Sequence, residues 1–110
     1  MSTLSTHVLD TAMGRPAAGM ALRLFAADGT LLFTGETNAD GRCPGMPSPL
    51  APGRYRLEFD VARYFQAAGD SLLDPPFLDV VPVAFGIADG GHYHVPLLVS
   101  PFAYSTYRGS

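Results

Sequence analysis

Glycine and proline interrupt this chain so often that no long regular element can form: twelve glycines and ten prolines are spread over 110 residues. Glycine opens turn conformations, and proline withholds a backbone donor, so each one ends or bends the run that holds it. The surviving runs are short and apolar. "STHVLDT" (5–11), "MALRLFAA" (20–27) and "TLLFTGETN" (30–38) read as strands, the last two joined by a hairpin at Asp28-Gly29. "NADGR" is a second Asp-Gly turn that delivers Arg42 at its exit. "CPGMPSPLAPG" carries four prolines in eleven residues and reads as loop.

The alternation is clearest in "RYRLEFDV" (54–61), where Tyr55, Leu57 and Phe59 point one way and Arg54, Arg56 and Glu58 the other. One short helix is expected over "VARYFQAAG", capped by Asp60 and stopped by Gly69. "LDVVPVAFGI" (78–87), "HYHVPLLV" (92–99) and "FAYSTYR" (102–108) read as three more strands. The prolines inside the first two predict edge positions, bulges or irregular pairing. About eight short strands with one small helix imply an all-β, two-sheet sandwich. The length suits a single domain over residues 1–110.

Composition removes whole classes of function. The net charge of −3 provides no basic footprint for nucleic acid. No apolar run approaches the length of a spanning helix, so no membrane partner is expected. The start, "MSTLSTHVLD", has neither the basic nor the apolar region of a secretory signal, which makes the cytoplasm the expected location. Charged residues make up only 15% of the chain, so part of its apolar surface is expected to face a partner chain.

Cys43 is the single cysteine, which rules out an intrachain disulfide and a cysteine-rich zinc site. All seven basic side chains are arginine, so lysine Schiff bases and a phosphate-loop lysine are excluded. Near-neutral acid–base chemistry then falls to His7, His92 and His94. In a strand, His92 and His94 share one face with Pro96 and Leu98, and His7 shares a face with Leu9. Taken singly, each histidine, and Arg42 after its turn, also fits an ordinary solvated position; periodicity alone does not bring them together.

Four segments, "STHVLDTAMGRPAAGM", "TNADGR", "GRYRLEFDVARYF" and "HYHVPLLVSPFAYSTYRGS", together resemble the transthyretin-like family, and specifically its enzyme branch of 5-hydroxyisourate hydrolases. The carrier branch shares the "SP-aromatic-x-YST" segment, but is not expected to have histidines at His7 and His94, an arginine at Arg42, or the closing "YRGS". The stretch "SLLDPPFLDVV" (71–81) departs from the family pattern, which leaves its loop geometry open.

The resemblance implies two four-stranded sheets with a short helix, assembled as a homotetramer, a dimer of dimers, with sites at the dimer–dimer interface. It implies hydrolysis of a small purine-derived molecule, 5-hydroxyisourate, to 2-oxo-4-hydroxy-4-carboxy-5-ureidoimidazoline. By the same carry-over, His7 and His94 activate water and shuttle the proton, in an order the resemblance leaves open. Arg42 stabilises the oxyanion, and Ser110 orients water or substrate. Tyr107, Arg108 and Gly109 line the substrate pocket. His92 has the parity to support the site from behind, but its place nearer the strand start favours exposure, and its role is left open. No metal or organic cofactor is required. The alternative within the family is a carrier of a small aromatic ligand that does no chemistry.

Overall fold

The computed structural model of the chain describes residues 2–109. Eight strands and one helix follow in the order β1 (Ser2–Asp10), β2 (Arg15–Pro16), β3 (Ala21–Ala26), β4 (Leu31–Glu36), β5 (Gly53–Asp60), α1 (Val61–Ala67), β6 (Val80–Ile87), β7 (Gly91–Val99) and β8 (Tyr104–Thr106). They form two four-stranded sheets, β2-β1-β7-β8 and β4-β3-β5-β6. The expected all-β sandwich is what the chain builds. Its inner faces supply the core, with Val8, Leu22, Leu24, Leu57, Phe59, Leu97 and Val99 essentially inaccessible. Burial alternates along β1 as the period of two requires, leaving Ser5, His7 and Leu9 half-buried on the outer face.

β1 and β7 are parallel and adjacent, with Thr3 opposite His92, Ser5 opposite His94 and His7 opposite Pro96. Every other pairing is antiparallel. This parallel pair turns residues from the two ends of the sequence into neighbouring rungs of one face.

Three expectations need correction. Pro82 does lie in an edge strand, but Pro96 sits in β7, between β1 and β8. It is tolerated there because β8 is so short. The carbonyls of His94 and Pro96 face the β8 side, where they accept the Gly109 N–H at 2.8 Å and the Thr106 hydroxyl at 2.7 Å. The Pro96 nitrogen faces the same way, just past Leu97–Thr106, where the β7–β8 ladder stops. No strand asks it for a donor.

Second, Asp60 stands at the N-cap of α1 but makes no side-chain capping bond. Its carboxylate accepts instead from both ends of the Arg23 guanidinium, at 3.0 and 2.8 Å. The first helical N–H groups, of Val61 and Ala62, go to the Asp79 carbonyl, each at 3.1 Å. Third, the strand expected over 102–108 shrinks to Tyr104–Thr106, and a short β2 forms at Arg15–Pro16, where no strand was expected. A buried bond ties the helix to the sheet that holds β1 and β7: Tyr64 donates to Asp10 at 2.8 Å. Burial first, and this carboxylate second, push the Tyr64 phenol up to about 12.

Candidate active site

The turn Asn38–Arg42 is built from its own side chain outward. Asn38 Oδ1 accepts the N–H groups of Asp40 (2.9 Å) and Arg42 (3.1 Å), and the Asn38 carbonyl accepts that of Gly41 at 2.9 Å. Gly41 takes a φ of +76°, a region that suits glycine, and a Cβ there would collide with the Val8 carbonyl oxygen. That close approach lets Val8 N–H donate to the Gly41 carbonyl at 2.8 Å. The turn is thereby stitched to β1, with Arg42 and His7 bridged as an antiparallel pair. The two candidates that periodicity left apart are now neighbours.

The same turn orients His7. Its Nε2 lies 2.8 Å from the Asp40 carbonyl oxygen, which can only accept. The proton of the neutral ring is therefore on Nε2, and Nδ1 carries the lone pair.

His94 is held differently. Its Nδ1 lies 2.7 Å from Ser5 Oγ, its opposite residue on β1. Ser5 Oγ is also 2.8 Å from His92 Nε2, and His92 Nδ1 is 2.6 Å from Thr3 Oγ1. A hydroxyl can donate or accept, so these contacts impose no single tautomer on His94. Partial burial, then the Arg42 charge, then His7 and His92, hold the His94 imidazole below its ordinary range. At neutral pH it is the uncharged ring that faces the site.

Gly109 closes one side of His94. Its N–H donates to the His94 carbonyl at 2.8 Å, and a Cβ at position 109 would lie 2.5 Å from His94 Cδ2. Only a glycine lets the chain pass so close to the ring. Arg108, by contrast, turns to the other face of β7. Its guanidinium lies 4.0 Å above the Tyr93 ring, and with Tyr107 it lines a small end cavity of about 160 Å³ between β6 and β7. Within one chain, Tyr107 and Arg108 are not gathered with His7, Arg42 and His94. Ser110 lies outside the described residues.

Sequence reasoning missed Asn38, the Asp40 carbonyl, Ser5 and Thr3. Ser5 has the same strand parity as His7, which was the available signal, but nothing local showed that β7 would lie beside it. Cys43 is buried, and burial pushes its thiol up, as suits a packed residue. Among the described residues no group of His, Cys, Asp and Glu has the makings of a metal site. No helix of the described residues is long and apolar enough to cross a membrane.

Known proteins are similar to this chain in sequence and in fold. A 5-hydroxyisourate hydrolase of Ralstonia nicotianae is 54% identical, with all of both chains aligned. The solved structure of Klebsiella pneumoniae 5-hydroxyisourate hydrolase superposes with a TM-score of 0.86 at 38% identity, covering 98% of this chain and 99% of that one. Sea bream transthyretin, solved in complex with thyroxine, gives a TM-score of 0.86 at 35% identity over 96% of this chain and 93% of its own. The sandwich is thus common to a hydrolase and to a thyroxine-binding protein, and the profile of the HIUase/Transthyretin family matches residues 4–109. By sequence over nearly its whole length and by the topology of both sheets, this chain belongs to the HIUase/transthyretin family.

Proposed function

We propose that the chain is a hydrolase that opens the ring of 5-hydroxyisourate, with His7, Arg42 and His94 as its catalytic residues. The relatives named for this activity, at about half identity over the full length, support the reaction. The observation that carries the mechanism is the bond from His7 Nε2 to the Asp40 carbonyl.

With Nε2 protonated, His7 offers Nδ1 as a base. Water loses a proton to His7 Nδ1 as its oxygen bonds to the cyclic amide carbonyl. The carbonyl oxygen becomes an oxyanion, stabilised by the planar, permanently charged fork of Arg42. As the oxyanion collapses, the ring C–N bond breaks and the departing nitrogen takes a proton from His94 Nε2. The product is 2-oxo-4-hydroxy-4-carboxy-5-ureidoimidazoline. General acid–base catalysis of this kind contributes on the order of 10²–10⁴-fold. Ser110 completes the site by orienting water or substrate, Gly109 walls it against His94, and Tyr107 and Arg108 contribute through the subunit contact.

The assembly we propose is a homotetramer, a dimer of dimers, acting in the cytoplasm. The histidine face is shallow in a single chain, while the open hollow of about 810 Å³ lies elsewhere, between α1, β2 and the Arg15–Gly19 turn. Half-buried Leu9 and Leu98 flank the histidines on that outer face, a surface suited to cover by a second copy. β6 and β8 are free sheet edges, and Val80 and Tyr104 on them are exposed. A carrier without catalysis has no use for a pinned imidazole beside an arginine that has no carboxylate partner among the described residues.

The test is the ultraviolet decay of freshly generated 5-hydroxyisourate followed by stopped flow. Decay is expected to accelerate in proportion to protein, well above the spontaneous rate. Tight binding with no acceleration would overturn the enzyme in favour of the carrier.

A further inference from the structure

A neutral imidazole gives up its Nε2 proton readily only if Nδ1 is reprotonated in step. His94 has little freedom to meet that need by carrying a standing charge, because partial burial opposes one first, and then Arg42 from the 38–42 turn, His7 from β1 and His92 from its own strand. What His94 has instead is a line of alternating hydroxyls and imidazoles. From the exposed Thr3, contacts of 2.6, 2.8 and 2.7 Å run through His92 Nδ1, His92 Nε2 and Ser5 Oγ to His94 Nδ1. All are within hydrogen-bond distance, and all lie on the outer face of the β1–β7 pair, on two successive rungs.

Each hydroxyl has one proton, so the line has only two fully bonded polarities. In one, Thr3 donates to His92 Nδ1, His92 Nε2–H donates to Ser5 Oγ, and Ser5 donates to His94 Nδ1; His94 Nε2 then carries a proton. In the other, every bond is reversed and His94 Nε2 is a bare acceptor. We propose that Thr3, His92 and Ser5 form a proton-conducting chain that resets His94 between donor and acceptor without a lasting charge on its ring. This rests on the hydrolase reading above. In the step itself, His94 Nε2–H passes to the departing nitrogen while Ser5 protonates His94 Nδ1. His92 Nε2–H then replaces the Ser5 proton, Thr3 replaces the lost His92 proton at Nδ1, and solvent water reprotonates Thr3. One proton enters at Thr3 for each that leaves at His94. To reset the line, the proton that His7 took from water passes through solvent to His94 Nε2, His94 Nδ1–H returns to Ser5, Ser5 returns its proton to His92 Nε2, His92 Nδ1–H returns to Thr3, and Thr3 releases one proton to solvent. Ser5 and His92 act through His94 and are positioning residues.

The first arm is kinetic. Ser5→Ala is expected to lower kcat on the order of 10- to 100-fold with KM changed by less than about twofold, and to shift the acidic limb of the kcat–pH profile. Ser5→Thr, which restores the hydroxyl, is expected to recover most of kcat. His92→Phe leaves Ser5 in place and is expected to cost less than Ser5→Ala. Circular dichroism checks that each variant is folded. Wild-type kcat and an unchanged pH profile in Ser5→Ala, or Ser5→Thr no more active than folded Ser5→Ala, would overturn the chain.

The second arm needs no substrate. Nitrogen-15 shifts of the His94 ring are expected to show both neutral tautomers in the wild type and a changed tautomer ratio in His92→Phe. A His94 signal that ignores His92→Phe would overturn the coupling. If the coupling is seen but the wild type does not accelerate substrate decay, the chain stands and the substrate assignment falls.

Discussion

The outer faces of the two sheets treat charge in opposite ways. On β3 and β5, Arg23 meets Asp60 at 2.8 Å and Glu58 at 3.5 Å, and Arg56 meets Glu58 at 2.8 Å, so each carboxylate is matched by a guanidinium. Arg56 also lies 4.6 Å above the Phe25 ring. On β1 and β7 the polar groups are hydroxyls and imidazoles, and the nearby arginine, Arg42, has no ion-pair partner among the described residues. These pairs tie β3 to β5 and serve the fold, while Arg54, exposed at the start of β5, stands outside them. A face that leaves Arg42 unpaired beside an imidazole, His94, held below its ordinary range is suited to receive an anionic or polarised group. On the proposed reading, stability and chemistry are thus divided between the sheets.

The contrast can be broken first at its tightest point. Gly109→Val places a Cβ 2.5 Å from His94 Cδ2, so either the ring or the chain must move. Activity toward 5-hydroxyisourate is expected to fall by roughly 100-fold, as misplacement of a catalytic group by about an ångström does. The thermal midpoint should change little, because position 109 lies outside the core. A kinetically normal Gly109→Val protein would mean that the His94 ring is not held where catalysis needs it.

The next effect is one of pH. His94 is held below its ordinary value, so the folded protein binds its proton less readily than the unfolded chain. As pH falls below about 6.5 the unfolded chain protonates first, and this histidine's contribution favours unfolding, levelling off below the folded value. Asp60 is also lowered, chiefly by its hydrogen bonds to Arg23, and its contribution is present above the ordinary carboxylate value and lost as pH falls through the folded one. Acid should therefore act twice: on the histidine face just below pH ~6.5, and on the ion-paired face only in the carboxylate range. Ring-proton NMR of His94 alongside urea unfolding across pH would show both. A His94 titration at or above the ordinary value would contradict the first.

The smallest effect is on the other sheet. Arg23→Ala is expected to cost about 1 kcal/mol or less in urea unfolding, since the pair is partly exposed, and to leave turnover unchanged. A change in kcat there would blur the division between the faces.

Much of this division was legible in the sequence, because strand parity alone puts His7 with Ser5 and His94 with His92. What parity does not reveal is adjacency. Nothing local predicts that β1 and β7, near opposite ends of the chain, pair in parallel and set Ser5 against His94. Asp60 looked like a helix cap by its position, but a partner 37 residues away took its carboxylate. Pro96 marked an edge, a bulge or irregular pairing by propensity, and it is the early end of β8 that makes its place in β7 acceptable. Arg108 shows the same limit: nothing local predicts that its guanidinium lies 4.0 Å above the Tyr93 ring. Local rules gave the elements, and long-range partners decided which way the side chains are used.

The most direct test compares kcat/KM for His7→Ala, His94→Ala and Arg23→Ala in one stopped-flow series with fresh 5-hydroxyisourate. Loss on the order of 10²–10⁴-fold is expected for each histidine variant, with Arg23→Ala at the wild-type value. Near-wild-type turnover by either histidine variant would contradict the assignment of chemistry to the β1–β7 face.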